Sequence, residues 1–252
     1  MMKLKKVFFT LPLILLSMNS QSLFSQNTKS VVIEYQEKRA VNEEKIKNLP
    51  ERIQQVVRAK SKWRKSVLIH NEEGSYYMLQ DKIEDKTVTV SDTQKRTVKV
   101  GQKVFFNDFL TNNSYQELRM YNENVLIKDK LNKYKWELLS ETKKINDIVC
   151  KKATTTNEHG RTVVAWYTDK FGITNGPQGY YGLPGLIVYL DDGKYTFKMD
   201  KVSFSDKKLD LLKPSKNANV VTPEEYMNNY VNGKSSKSQR GNTTTTRRRV
   251  QN

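Results

Sequence analysis

Apolar and polar residues alternate with a period of two over much of this chain, and short turn signals separate the alternating runs. Val31 to Glu37 is the first such run, and its pattern predicts a strand with one buried face. From Val41 to Lys60 the period changes: Ile46, Leu49, Ile53, Val56 and Val57 fall at helical spacing, and Pro50 suits either the first turn of a helix or a break between two. Ser66 to His70 and Ser75 to Gln80 flank Asn71-Glu72-Glu73-Gly74, a strand-turn-strand unit. Further strand-like runs follow at Lys86 to Val90, Arg96 to Val100, Tyr115 to Tyr121, Val125 to Lys130 and Trp136 to Thr142.

The most regular hairpin has arms Asp147 to Thr156 and Arg161 to Asp169 around Asn157-Glu158-His159-Gly160. Pairing Thr156 with Arg161 sets Cys150 opposite Tyr167 and Lys152 opposite Ala165. A last hairpin joins Leu186 to Leu190 and Tyr195 to Phe204 through Asp191-Asp192-Gly193. Thr222-Pro223-Glu224-Glu225 supplies a capping hydroxyl, a first-turn proline and early acids, which predicts a helix from Thr222 to about Val231. Connections between these strands are too short for parallel crossovers. The predicted class is therefore mainly β, a β-rich α+β fold: one curved antiparallel sheet of consecutive hairpins, half-barrel in outline, with one or two helices packed on it.

The ends of the chain read differently. Lys3, Lys5 and Lys6 precede an apolar run from Val7 to Leu16, and Ser20, Ser22 and Ser25 follow, the three-part layout of a secretory leader over residues 1–26. That run contains Pro12 and is too short for a membrane span, which needs about 20 apolar residues. No Cys lies beside the expected cleavage point, so no lipid attachment site is apparent and the product is expected to be exported to the periplasm, the outer membrane or beyond. Residues 27–232 form one β-rich domain, and residues 233–252 read as a disordered basic tail. Of the formal charge of +17, the leader carries +3 and the tail +6, which leaves a basic body with both signs interspersed. No basic groove interleaved with stacking aromatics and no recognisable module points to nucleic acid. The tail's only expected contact is a weak one with anionic surfaces.

One segment stands out. Gly176-Pro177-Gln178-Gly179-Tyr180-Tyr181-Gly182-Leu183-Pro184-Gly185-Leu186-Ile187 is a stiff, glycine-punctuated corner that runs directly into the apolar strand. Leu183-Pro184-Gly185-Leu186 fits a type II turn. Gly182-Leu183-Pro184-Gly185-Leu186-Ile187, preceded by Gly176-Pro177, resembles the signature of the GLPGLI family of exported proteins of Gram-negative bacteria. Trp136, Cys150-Lys151-Lys152-Ala153-Thr154, Arg161 and Ala165-Trp166-Tyr167-Thr168 resemble that family's other blocks in the same order. The chain departs from the pattern at Gln178, where the family usually carries a large aromatic residue. The resemblance implies export and an envelope setting and supplies no activity.

Catalytic motifs are sparse. His70 and His159 both fall at or beside predicted turns, and the lone Cys150 lies in an alternating run that favours burial. In an extended arm Cys150 lies roughly 20 Å from the turn that carries His159, too far for a dyad. There is no Gly-x-Ser-x-Gly elbow, no paired cysteines and no His-Glu-x-x-His, so no catalytic residue, cofactor or metal is assigned. A hydrolase of envelope polymer would need a carboxylate pair, for which Glu34, Glu37 and Asp169 are available. Binding is the leading function: Tyr180, Tyr181, Leu183, Leu186 and Trp166 offer an aromatic and aliphatic wall for an apolar or lipid-like ligand. The alternative is an interaction component of outer-membrane machinery that binds an envelope protein through a sheet edge or the Val41 to Lys60 helix.

Overall fold

The computed structural model describes residues 28–59, 61–80, 86–91, 94–98, 103–120 and 123–232. The expected leader and basic tail lie outside them. In chain order the elements are β1 (Ser30–Arg39), α1 (Glu43–Ile46), α2 (Glu51–Ala59), β2 (Arg64–Asn71), β3 (Gly74–Leu79), β4 (Lys86–Ser91), β5 (Gln94–Val98), β6 (Val104–Asp108) and β7 (Asn113–Met120). They continue with β8 (Glu123–Lys130), β9 (Glu137–Ile145), β10 (Ile148–Thr156), β11 (Thr162–Thr168), β12 (Leu186–Asp191), β13 (Tyr195–Ser205), β14 (Asn219–Val221) and α3 (Pro223–Tyr226). Twelve strands form one mixed sheet in the order β14-β8-β7-β6-β3-β2-β1-β13-β12-β11-β10-β9, while β4 and β5 pair only with each other. The sheet does not close into a barrel.

Most of this sheet is built from neighbours in sequence, as the turn chemistry dictates. Asn71 Oδ1 accepts from the amides of Glu73 and Gly74, which closes the β2–β3 turn. Asn146 and Asp147 both take positive φ, 47° and 59°, and turn β9 into β10, so Asp147 belongs to the turn and not to the predicted arm. Asn157 Oδ1 accepts from the amides of His159 and Arg161. The backbone of Asn157 pairs with Arg161, which makes Asn157 the last residue of the arm. The β10–β11 register is consequently one residue away from the predicted one: Thr156 faces Thr162, Lys151 faces Tyr167 and Ala153 faces Ala165. A loop one residue shorter shifts the whole ladder.

β1 sits near the middle of the sheet, antiparallel to β2 on one side and β13 on the other. Val31, Ile33, Tyr35 and Glu37 are buried, and the alternate residues Val32, Glu34, Gln36 and Lys38 are half-exposed. The main core gathers Ile33 and Tyr35 with Leu68, Tyr77, Phe197 and the apolar residues of β10 to β12. Leu186, Ile187 and Val188 of β12 are all buried, which is why this strand reads as a continuous apolar run. A smaller cluster of Leu118, Val125, Ile127 and Val221 closes the other end of the sheet, with Tyr226 and Tyr230 packed against it.

Two departures from the expected architecture matter. β14 pairs with β8 in parallel. Residues 206–218 carry the chain there across one end of the sheet, tied down by Ser30, whose Oγ accepts from the Leu209 amide, and by Asn71, which donates to the Leu209 carbonyl. A stretch of that length is enough for a crossover. The helical insert also differs from expectation: Pro50 splits it into two short helices, Ile46 is buried, and α2 buries no residue at all. Only α3 packs on the sheet as predicted, with Thr222 and Glu225 forming a reciprocal capping box. The chain stays helical beyond it, through a π-type turn over Met227–Asn232.

Candidate functional site

The glycine-rich corner lies against the inner side of the curled sheet, touching β3, β6 and β7. Each contact has a definite origin. Tyr35 Oη donates to the Ile187 carbonyl at 2.7 Å. Trp136 Nε1 donates to the Tyr181 carbonyl at 2.9 Å, and the Tyr134 ring stacks on Tyr180 at 4.7 Å. Asn175 Nδ2 lies 3.1 Å from His70 Nδ1, and burial lowers the His70 pKa to about 4. The predicted type II turn is absent: the Gly185 amide bonds the Leu183 carbonyl around Pro184, because Leu186 already pairs with Thr168 of β11. Gly185 has φ +156, and a Cβ there would lie 2.3 Å from the Thr168 carbonyl oxygen.

Three of the five residues expected to wall a ligand lie in the core. Tyr180, Leu183 and Leu186 are buried, at 5%, 1% and 0% exposure, and belong to the core. The strand that follows the corner is covered on both faces, so its apolar residues are unavailable to a ligand. Trp166 is half-buried under the Lys143 ammonium, 4.0 Å from the ring centre, with Lys152 at 5.9 Å. Tyr181 is half-buried beside Phe109. Cys150 is fully buried, and burial pushes its thiol up to about 11. His159 is exposed at the hairpin tip. The three carboxylates considered for hydrolysis are not brought together: Glu34 is on the half-exposed face of β1, Glu37 is on the buried face, and Asp169 is an exposed partner of Lys151 at 2.8 Å.

The sheet's curl creates a groove of about 640 Å³ elsewhere. Its lining comes from β6 to β8 and α3 on one side and from the tips of the β10–β11 and β12–β13 hairpins on the other, elements far apart in the sheet order. One wall is apolar, with Leu118, Ile127, Tyr226, Met227 and Val231. The floor carries Phe105, Tyr134, Gln178 and Tyr180. Opposite lie Arg161, Asp192, Lys194 and Tyr195, with Lys103 at the start of β6. Of the residues expected to hold a ligand, Tyr180 alone reaches this lining, through its edge. Its hydroxyl donates to Asp192 Oδ2 at 3.2 Å, and burial raises its pKa far above the usual tyrosine range.

A polar network at the base of the groove escaped sequence reasoning. Glu37 is 1% exposed and accepts from Arg64 Nη2 at 2.9 Å and from Tyr77 Oη at 2.5 Å. Gln178, in the left-handed region at φ 48°, reaches the same carboxylate with Nε2 at 3.4 Å. Tyr77 Oη also lies 2.7 Å from Ser66 Oγ. Burial, then the Glu37 charge, raise the Tyr77 pKa well above the ordinary value. The strand register explains the grouping: Glu37 faces Arg64 on β2, and Arg39, two residues further on, faces Tyr195 on β13. Arg39, Arg64 and Lys194 lie close enough to Lys103 for their charges to act on it, and of the four Lys103 and Lys194 line the groove. Arg64 Nε is buried with no hydrogen-bond partner among the described residues. Lys103 is pushed below the usual lysine range by desolvation and by Lys194, an effect that Glu37 opposes and Arg39 and Arg64 reinforce. The groove lining also carries Asp129, Glu158 and Asp192, beside Lys133 and Arg161.

A family model described as a protein of unknown function, Porph_ging, matches residues 156–189. That stretch holds the hairpin loop, β11, the corner and the hexapeptide, and the GLPGLI resemblance is compatible with it. No curated protein matches. Solved structures of PNGF-II in two crystal forms are similar, at 20% identity over 79% of this chain, with TM-scores of 0.51 and 0.52. The chain spans about a third of their length, 32%. The likeness is one of fold.

Proposed function

We propose that this protein is an exported, non-catalytic binding or carrier module of the cell envelope, and that its groove takes a lipid-like amphiphile with an anionic head. The observation that carries this reading is the polarity of the groove: an apolar wall from Leu118, Ile127, Met227 and Val231 shares the lining with four cations, Lys103, Lys133, Arg161 and Lys194, against three acids, Asp129, Glu158 and Asp192. A volume of about 640 Å³ falls within the range of small-molecule sites, which are mostly apolar with a few polar groups that fix orientation. The apolar wall removes hydrocarbon from water, and the cations supply charge-assisted donors for a carboxylate or phosphate. Tyr134 and Tyr195 add rings that combine an apolar face with a polar edge.

The test is uptake of a fluorescent fatty acid by lipid-extracted protein. Saturable uptake is expected, Gln116→Trp should block it by filling the groove, and Lys103→Ala with Lys194→Ala should weaken the free acid at least about tenfold more than its neutral methyl ester. No saturable uptake, or uptake indifferent to Gln116→Trp, would overturn the reading.

A further inference from the structure

The β1–β2 connection is anomalous in a second way. Ile53 and Val56 lie three residues apart on one face of α2, and Leu49 stands just before its first turn; the three are exposed at 45%, 45% and 40%. Trp63, where the insert returns to the sheet, is 38% exposed. A nine-residue helix with no buried side chain lacks the tertiary packing that normally sustains so short an element. Its surroundings are strongly basic: residues 38–65 contain ten Lys or Arg against three Glu. The Trp63 ring lies between the ammonium groups of Lys38 at 5.0 Å and Lys198 at 4.8 Å. Ser61 Oγ donates to the Arg39 carbonyl, which fixes the base of the insert against the end of β1.

We infer that α1 and α2, with Trp63 and the basic residues around them, form a docking surface for an anionic lipid bilayer. A helix with an apolar stripe, basic flanks and an indole at its boundary lies in the interface, its apolar face in the acyl region and its cations among the head groups. Among the described residues no helix is long and apolar enough to cross a membrane, which agrees with in-plane docking. Three of those cations already hold carboxylates, Lys47 with Glu44, Arg58 with Glu43 and Arg64 with Glu37, and the net positive charge that remains in the segment sets the occupant: anionic head groups complement it, whereas an uncharged apolar protein partner does not. The surface is separate from the groove lining, so the inference stands whatever the groove binds.

The full chain should be tested with phosphatidylcholine vesicles containing about 30% phosphatidylglycerol, and with phosphatidylcholine alone. Binding should be stronger to the anionic vesicles and fall with salt. Leu49→Ser with Ile53→Ser and Val56→Ser should weaken it at least about tenfold. Lys62→Glu with Lys65→Glu, both at exposed positions, should reduce it while leaving the fold intact. Brominated lipid should quench wild-type fluorescence, and Trp63→Phe should remove that quenching. Wild-type binding retained by both multiple variants would overturn the inference, because the leader or tail would then be the contact. Self-association abolished by the serine variant, without vesicle binding, would also overturn it and give the face to a second copy of the chain.

Discussion

Replacing Gly185 by alanine is the most direct probe of the corner. An added Cβ would stand 2.3 Å from the Thr168 carbonyl oxygen, 2.6 Å from its carbon and 3.0 Å from the Asp169 nitrogen. All three are backbone atoms at the end of β11, held by the pairing of Thr168 with Leu186. No flexible side chain can move aside. Overpacking costs about 1–3 kcal/mol, and holding alanine at φ +156 adds about 1–3 kcal/mol of strain. The expected loss is therefore about 4 kcal/mol, a large fraction of the roughly 5–15 kcal/mol that holds a domain. Gly160 is the control: it has φ +70 but nothing within 4 Å of an added Cβ, so Gly160→Ala should cost only about 1 kcal/mol. Guanidinium unfolding followed by tryptophan fluorescence should show a midpoint about 1 M lower for Gly185→Ala. A loss below about 1 kcal/mol, or one equal to that of Gly160→Ala, would refute the argument that the corner is locked by this approach.

Three further outcomes follow from the buried polar groups. Burial lowers the His70 pKa to about 4 from its ordinary 6.5, so the unfolded chain binds the extra proton first and stability falls as pH drops through that interval; wild type should lose about 2 kcal/mol more than His70→Gln between pH 7 and 4.5, and equal losses would contradict it. Glu37→Ala leaves Arg64 and the Tyr77 hydroxyl without their carboxylate and should cost about 3 kcal/mol. Arg64→Ala should cost at least as much in the same denaturation assay, since it strands the buried Glu37 carboxylate, whereas Glu37→Ala leaves a guanidinium that is 34% exposed and reached by water; a clearly smaller loss for Arg64→Ala would count against the network. Cys150, fully buried and with its thiol raised to about 11, should resist a thiol reagent at pH 8 until the protein is unfolded, whereas fast native labelling would show that β10 opens.

Local chemistry made much of the fold legible. The alternating run at Val31 to Glu37, the turn residues Asn71 to Gly74 and the capping sequence at Thr222 each state their structure within a few residues, because short-range hydrogen bonds decide them. The β10–β11 register was off by one because nothing in Asn157-Glu158-His159-Gly160 says whether Asn157 turns or pairs, a choice made by its own side-chain bonds. The parallel β14 was invisible because its partner β8 lies far back in the chain. Helical spacing revealed α2 but not that its apolar face stays uncovered. The corner is legible in its glycines and prolines, but its apolar residues read equally as ligand wall or as core, since hydrophobicity alone does not distinguish the two; Tyr180, Leu183 and Leu186 fill the core. The groove draws its lining from both halves of the sheet and from α3, so only the curl of the sheet assembles it.

Photolabelling reports where a ligand sits in the groove and which wall its hydrocarbon touches. A fatty acid carrying a diazirine near its methyl end should, after irradiation and peptide mapping, mark the wall of Leu118, Ile127, Met227 and Val231, with labelling lost in Gln116→Trp. Adducts confined to Gly176 to Leu190, or none that a competing fatty acid removes, would contradict the account.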